Sequence, residues 1–282
     1  MRVLVLGAGG QLGLAMTERL ARRHDVVART HGEVDIARIA DVHAAMQTIR
    51  PEVVVNCAAY NAVDRAQDEP LQALMANAWG PLHLARAARD IDATIVHFSS
   101  DFVFDGETSR PYDESDRPNP QGTYAISKLL GEWLTAEAPR AYVLRVESLF
   151  GGANAKSSVD FLLKSILSGQ PARAFSDRIT SPSYVDDVVD ATVALVERNA
   201  PTGLYHCVNT GLATWVELAK ELARLVGKPD APIAAVPMAS AGLRTPRPRF
   251  AALSNAKLAS VGVVMPTWQD ALERYVKLGM RT

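Results

Sequence analysis

"RVLVLGAGGQLGLAMTERL", residues 2–20, changes its period in the middle, and that change decides the fold. Val3 to Leu6 form an unbroken apolar run, as expected of a strand covered on both faces in a parallel sheet. Beyond the glycines, Leu12, Met16 and Leu20 recur every four residues, the spacing of one helix face. Between the two patterns lie Gly7, Gly10 and Gly13. Glycines so placed permit a tight turn, a close backbone approach to a pyrophosphate and close packing of helix on strand, with the phosphates at the positive helix end. A glycine triplet alone also suits a purely structural turn; its strand-turn-helix setting is what favours a dinucleotide.

The same alternation continues outward. "DVVART", "EVVVNCAA", "TIVHFSSDFVF" and "AYVLRVESLF" are further Val/Ile/Leu-rich runs, and helical stretches such as "PLQALMANAWGPLHLARAARD" separate them. Strand and helix in succession predict right-handed βαβ crossovers: an α/β, Rossmann-like doubly wound parallel sheet with helices on both faces. From Gly151 the texture shifts to amphipathic helices ("SSVDFLLKSILSG", "SYVDDVVDATVALVERN", "TWVELAKELARLVGK", "TWQDALERYVKLG") with short strands "GLYHCVN" and "IAAVP" between them. The expected division is a dinucleotide-binding domain over residues 1–150 plus about 171–208, and a smaller, mostly helical C-terminal substrate lobe over about 151–170 plus 209–282. The chain shows no repeat and no low-complexity tract.

Composition narrows the function. With 282 residues, 48% hydrophobic, 22% charged and a formal net charge of −1, the chain has no electrostatic bias toward nucleic acid or anionic membrane, and neither is expected as a partner. Cys57 and Cys207 are far apart and outside any CxxC spacing, which suits a reducing compartment. The opening apolar run is too short for a membrane span and leads into a glycine turn, so a cytoplasmic protein is expected.

"FSSDFVFDGETSRPYDESDRPNPQGTYAISKLLGE", residues 98–132, holds the candidate chemistry. Ser99 and Ser100 stand at the carboxyl end of a central strand, where ligands bind in open α/β sheets. Tyr124 and Lys128 are four apart on the next helix and share a face. A phenol's ordinary pKa near 10 is too high for ready proton exchange at neutral pH, and an adjacent ammonium is expected to lower it. The serine hydroxyl can bond a substrate carbonyl beside the phenol, and the lysine can also reach a cofactor ribose. The alternative is a half-exposed helix with an aromatic stem packed on the sheet. The second strand ends in Arg29-Thr30-His31, where an NAD-preferring site offers an acid to the adenosine ribose. An arginine there can pair with a 2′-phosphate, which favours NADP(H) as cofactor, with NAD(H) as the second option; a solvated surface arginine is the other reading.

Together these residues resemble the extended short-chain dehydrogenase/reductase family, and within it the dTDP-4-dehydrorhamnose reductase group of sugar-nucleotide reductases. The resemblance spans nearly the whole chain. It rests on the glycine loop, Tyr124 and Lys128, "VDIARIADV", "VNCAAYNAVDRAQDEP" (like Asn-x-Ala-Ala-Tyr-x-x-Val-Asp), "SSDFVFDG" (like Ser-Thr-Asp-Tyr-Val-Phe-Asp-Gly) and "DRITSPSYVDDV" (like Asp-Gln-x-x-x-Pro-Thr). It implies NADPH-dependent reduction of the C4 ketone of a nucleoside-diphosphate deoxysugar, by a monomer or homodimer. Ser100, Tyr124 and Lys128 would be the catalytic triad. Gly7, Gly9, Gly10, Gln11, Leu12, Asp35, Ile36, Ala58, Ala59, Tyr60 and Ser99, with Arg29 and the triad's Tyr124 and Lys128, would hold the cofactor. Val63, Asp101, Phe102, Val103, Glu147 and Ser148 would face the nucleotide sugar, and Arg247, in the basic, proline-interrupted "LRTPRPRFAALSNAKL", would meet its diphosphate.

The chain departs from the group at Ser100 (Thr in the family), Phe102 (Tyr), and Glu147-Ser148, where a Ser-Trp is usual. Loss of the tryptophan opens a wall of the sugar pocket, which predicts a preferred sugar other than the rhamnose precursor. Glu147 either accepts from sugar hydroxyls or points away toward a basic partner. Ala15 stands where metal-bridged dimers carry an acid, and the six histidines lack His-x-x-x-His spacing, so no metal is expected. The competing readings are a reductase or epimerase acting on another nucleotide sugar, and a non-catalytic NADP-binding regulatory subunit. A dehydratase is disfavoured because Phe102 replaces its second acid. An NAD-retaining epimerase would want an acid at Arg29, and a regulatory subunit would be expected to lose part of the triad.

Overall fold

In the computed structural model, which describes residues 1–153 and 156–279, the opening run becomes strand β1 (Arg2–Leu6), followed by α1 (Gln11–Leu20), β2 (Asp25–Arg29), α2 (Ile39–Ile49) and β3 (Val53–Asn56). The helical stretch that follows is α3 (Pro70–Leu74), a π turn (Met75–Trp79) and α4 (Gly80–Asp90) in one run. Then come β4 (Thr94–Ser100), α5 (Thr123–Thr135), β5 (Arg140–Val146), β6 (Leu149–Phe150), α6 (Ser158–Ser168), β7 (Ala172–Phe175), β8 (Ile179–Thr180), β9 (Ser183–Tyr184) and α7 (Val185–Glu197). The chain closes with β10 (Gly203–His206), β11 (Ala213–Thr214), α8 (Trp215–Leu225), β12 (Ile233–Val236), α9 (Ala256–Ser260) and α10 (Trp268–Gly279).

Six strands form one parallel sheet in the order β10-β5-β4-β3-β1-β2. Successive side chains of β1 serve both faces, as its unbroken apolar run requires. Val3 and Val5 join Met16, Leu20, Val188 and Leu195 on the α1/α7 side. Leu4 and Leu6 join Val42, Met46, Leu84 and Ala88 on the α2/α4 side. After β2 the chain crosses over β1 to form β3, so the direction of winding reverses between β1 and β3. The crevice at such a reversal, outside the carboxyl ends of the strands, is where open α/β sheets bind ligands.

A second core lies after β6. Phe150, Leu162, Ile166, Leu218, Leu222, Trp268 and Leu272 pack together there. Helix α8 starts with a capping box in which the Thr214 hydroxyl accepts from the Glu217 amide at 3.2 Å and the Glu217 carboxylate accepts from the Thr214 amide at 2.7 Å. Strand β7 pairs with β12, and its Ala172 and Ala174 join the second core. The return to the main sheet's side therefore begins with α7 at residue 185, later in the chain than the expected boundary near 171. No helix among the described residues is long and apolar enough to cross a membrane.

Candidate active site

The glycine loop is pressed against the end of β3. A Cβ on Gly7, which has φ +72°, would lie 2.6 Å from the Ala58 nitrogen, and one on Gly13 would collide with the Gly7 carbonyl. The Gly10 amide closes the turn on the Gly7 carbonyl at 3.0 Å. No side chain caps Gly10 and no acid occupies the first turn of α1, so the positive helix end is left for an anion. The Gln11 side chain is already committed, donating to the Gly151 carbonyl at 2.6 Å.

Two hollows adjoin this loop and share Gly10, Cys57, Ala58, Ala59 and Asn61. The larger, about 560 Å³, brings Gly7, Gly9, Asp35, Ile36 and Tyr60 together with Thr30 and His31. Arg29 lies outside it: its guanidinium donates to the Ala28 carbonyl at 2.9 Å and sits 3.9 Å from Glu33. Thr30 and His31 were passed over as site residues in the sequence reading, although they follow Arg29 directly. The groove wall is held by Asn77 in the π turn. Its side chain accepts from the Tyr60 amide at 2.8 Å and donates to the Tyr60 carbonyl at 3.0 Å, fixing the loop after β3. No local pattern marks Asn77; its role comes from the helix meeting that loop.

The smaller hollow, about 310 Å³, gathers Gln11, Leu12, Ser99, Ser100, Asp101, Phe102, Tyr124, Lys128, Glu147 and Ser148. Strand β4 delivers Ser99 and Ser100 at its carboxyl end, and α5, entered through Gly122 at φ +99°, presents Tyr124 and Lys128 one turn apart. The Tyr124 phenol lies beside the Ser100 hydroxyl, which accepts from the Phe102 amide at 3.2 Å and donates to Asp101 Oδ1 at 2.9 Å.

The electrostatics of the phenol differ from the expectation that Lys128 would lower its pKa. Burial pushes Tyr124 up to about 12; the Asp101 charge adds to that, and Ser100 and the Arg247 guanidinium only partly oppose it. Lys128 Nζ is turned to the Phe98 carbonyl at 2.6 Å, and burial lowers the ammonium to about 8. Desolvation dominates both groups and Lys128 is not among the influences on the phenol, so the tyrosine stands as a protonated phenol.

Two expected substrate contacts are placed elsewhere. The 3₁₀ turn Asp101–Val103 rotates Val103 into a core with Phe104, Tyr112 and Leu129, out of the hollow. Val63 packs beneath Tyr124 and Phe102 rather than lining the hollow. Glu147 lines the hollow, yet its carboxylate accepts from the Thr180 hydroxyl and from the Ser181 amide at 2.6 Å. Burial, reinforced by the Asp101 charge, lifts it to about 8. Ser148 adopts φ +45°, a conformation hostile to a bulky side chain, and its hydroxyl lies 2.8 Å from that of Thr180.

Arg178 was missed altogether. It stands where the resembling pattern has Gln, and it lies 3.6 Å from Asp101 Oδ2, the acid buried and the arginine side chain partly exposed. Its guanidinium is 5.7 Å from the Phe102 ring centre, and that of Arg247 is 5.5 Å away. Arg247 is paired with Asp64 at 3.0 Å and lines a separate hollow with Asp177 and Arg249. Among the described residues, no group of three or more His, Cys, Asp or Glu is placed to hold a metal ion.

Comparison with known proteins shows the family and the fold. The family model described as RmlD substrate binding domain matches residues 1–280. A dTDP-4-dehydrorhamnose reductase of Streptomyces griseus is 36% identical over 281 residues, covering 96% of this chain and 91% of that protein. The spore coat polysaccharide biosynthesis protein SpsK of Bacillus subtilis is 34% identical over 277 residues, covering 98% and 97%. Among solved structures, dTDP-4-dehydrorhamnose reductase from Bacillus anthracis in complex with NADP superposes with a TM-score of 0.93 at 30% identity, covering 100% of this chain and 99% of that one.

Proposed function

The chain belongs to the RmlD substrate binding domain family, and on that premise we propose that it is an NADPH-dependent oxidoreductase that reduces the C4 ketone of a nucleoside-diphosphate deoxysugar. The observation that carries the reading is the convergence of Ser100, Tyr124 and Lys128 on a hollow continuous with the glycine-loop groove. The groove suits the cofactor: its glycines leave space that a Cβ would fill, and an uncapped helix end faces it. Gly7, Gly9 and Gly10 would pass the diphosphate, Asp35, Ile36, Ala58, Ala59 and Tyr60 would border the adenosine, and Arg29, swung from the Ala28 carbonyl, would meet a 2′-phosphate. NAD(H) remains the second cofactor. When bound, NADPH would supply the hydride.

The chain's own residues manage the proton. Tyr124, held protonated by burial, is the donor to the C4 oxygen as negative charge develops there. Ser100, turning its hydroxyl from Asp101 Oδ1, would donate to the same carbonyl oxygen and hold it beside the phenol. Lys128, tied to the Phe98 carbonyl beneath the site, is positioned to reach the cofactor's ribose and to stabilise the phenolate left after transfer. Phe102 meets the Tyr124 ring edge-on at a centroid distance of 5.5 Å, which limits the phenol's swing. The triad, the substrate contacts and the division into a cofactor domain and a substrate lobe are parts of the same proposal. Loss of NADPH absorbance on addition of a 4-keto-6-deoxy sugar nucleotide, dependent on Tyr124, tests it; binding of both ligands without turnover would favour the regulatory-subunit reading instead.

A further inference from the structure

Helix α5 buries more charge than the reaction itself uses. Four residues beyond Lys128, and on the same face, stands the buried Glu132. Its two carboxylate oxygens accept from Arg145 Nε at 2.8 Å and from Arg145 Nη2 at 2.7 Å, a bidentate pair that joins α5 to β5. The remaining nitrogen, Nη1, lies 3.3 Å from His206 Nε2, and the guanidinium sits 4.8 Å from the centre of the Phe104 ring. His206 Nδ1 is 3.1 Å from the Tyr112 carbonyl, which places the ring proton on Nδ1 and leaves Nε2 to accept. Burial, reinforced by the Arg145 charge, keeps that imidazole neutral. Among the described residues, Glu132 is therefore the one counter-ion of Arg145. Neither residue lines the hollow that holds Tyr124 and Lys128. For stability alone such a pair is a poor choice, since two apolar side chains of the same volume would serve as well or better.

Lys128 gives the buried charge a use. Its Nζ has one acceptor among the described residues, the Phe98 carbonyl at 2.6 Å, and the side chain is buried. Helix α5 is pressed so closely on the π turn that a Cβ on Gly131 would collide with the Asn77 carbonyl, which seals that side of the helix. We propose that Glu132, clamped by Arg145, is a positioning residue for the reduction, its carboxylate keeping Lys128 an ammonium beneath the phenol until Tyr124 has given up its proton. The inference rests on the reductase reading, because the phenolate left by that transfer is what calls for the cation. Side chains on a helix lean toward its N-terminus, which carries the Glu132 carboxylate back over the turn that holds Lys128. Burial lowers the Lys128 ammonium to about 8, and the Glu132 charge opposes that fall. The other groups near Lys128 do not replace Glu132. His97 on β4 is held neutral by burial and by the Lys128 charge, and Asp101, which shares the hollow, is bonded to Ser100. Arg145 on β5 is turned to Glu132, Arg65 to Glu69, and on α4 Arg86 is turned to Glu137 and His83 to the Ile36 carbonyl. Neither α3 nor the π turn carries a titratable side chain.

The test reads kcat and KM against pH in the parent, Glu132→Gln, Glu132→Gln/Arg145→Gln and Glu132→Asp. Beside it, NMR of protein labelled at the lysine ε-carbons reads the pH midpoint of Lys128 itself, assigned by its loss in Lys128→Met. Since the ammonium is the form that helps, the parent's kcat should hold below about pH 8 and fall above it. Glu132→Gln and the paired variant should move both that fall and the Lys128 midpoint down by about one pH unit, with KM for either ligand changed by less than about threefold. Glu132→Asp, which keeps the charge, should return both to within a few tenths of a unit of the parent. A role confined to packing would scale kcat at every pH and leave both midpoints in place; that result would overturn the proposal, as would a parent whose Lys128 is already neutral at pH 7. The paired variant leaves no lone buried ion and decides where Glu132→Gln does not fold; if neither folds, the parent's midpoint decides. A Lys128 midpoint that moves with Glu132 in a protein that never oxidises NADPH would overturn the reductase reading and sustain the coupling of the two charges, whereas oxidation of NADPH with both midpoints indifferent to Glu132 would do the reverse.

Discussion

Replacing Glu147 with glutamine is expected to stabilise the protein at neutral pH and to have little effect in mild acid. The carboxyl is 1% exposed, and burial with the neighbouring Asp101 charge raises it from an ordinary 4.5 to about 8. The folded protein therefore holds a proton that the unfolded chain releases, and the sign follows: stability contributed at this position falls as the pH rises from about 4.5 to about 8. Keeping that proton at pH 7 against an ordinary value of 4.5 costs about 3 kcal/mol. Glutamine avoids the cost and can keep both contacts. Its carbonyl accepts from the Ser181 amide, and its amide donates to the Thr180 hydroxyl, which turns to donate to Ser148. Urea unfolding of parent and variant across pH 5 to 8 reads the difference, expected to be near zero at the acid end and on the order of 2–3 kcal/mol in favour of the variant at pH 7. A difference that stays flat with pH, or a variant weaker than the parent at pH 7 and 8, would refute the claim that this acid is buried at a cost.

Four further outcomes follow from the same site. Tyr124→Phe should cut turnover by roughly two to four orders of magnitude with an unchanged circular dichroism spectrum, and near-normal turnover would remove the phenol from the mechanism. The parent should show a higher kcat/KM with NADPH than with NADH, and Arg29→Ala should narrow the gap; equal use of both cofactors by the parent would dismiss Arg29's assignment. Arg247→Ala should raise KM for the nucleotide sugar more than it lowers kcat, because a guanidinium beside Phe102 that binds diphosphate acts before chemistry. An unchanged KM would place Arg247 outside the substrate site. Across a panel of 4-keto sugar nucleotides, the parent should prefer one other than the rhamnose precursor, because no bulky wall stands at Ser148, whose φ of +45° disfavours one; a strong parental preference for that precursor would release Glu147 and Ser148 from any role in choosing the sugar.

What the sequence made legible was local. The change from an unbroken apolar run to a four-residue repeat across Gly7–Gly13 specifies strand, turn and helix without reference to anything distant, and the parallel sheet follows from repeating it. Ser100, Tyr124 and Lys128 could be grouped from the sequence because their elements are consecutive in the chain, and all three line one hollow. Arg178 and Asn77 were not, since each matters through a partner far away in sequence: Arg178 through Asp101, and Asn77 through Tyr60. Val103 was misplaced because the chain leaves β4 through a 3₁₀ turn, so alternation no longer gives its side. The phenol's expected fall in pKa failed for a different reason. Spacing on a helix shows that Tyr124 and Lys128 share a face, but it carries no information about how fully that face is buried or that Lys128 Nζ turns to the Phe98 carbonyl.

The most direct test of the central claim is a coupled measurement with the parent and Tyr124→Phe: oxidation of NADPH in the presence of dTDP-4-dehydrorhamnose and related 4-keto sugar nucleotides, with the product identified by mass. The account predicts stoichiometric loss of NADPH, a product two hydrogens heavier than the substrate, and near-complete loss of both in the variant. Binding of NADPH and nucleotide sugar by a folded parent with no oxidation across the panel, or turnover that survives intact in Tyr124→Phe, would contradict it.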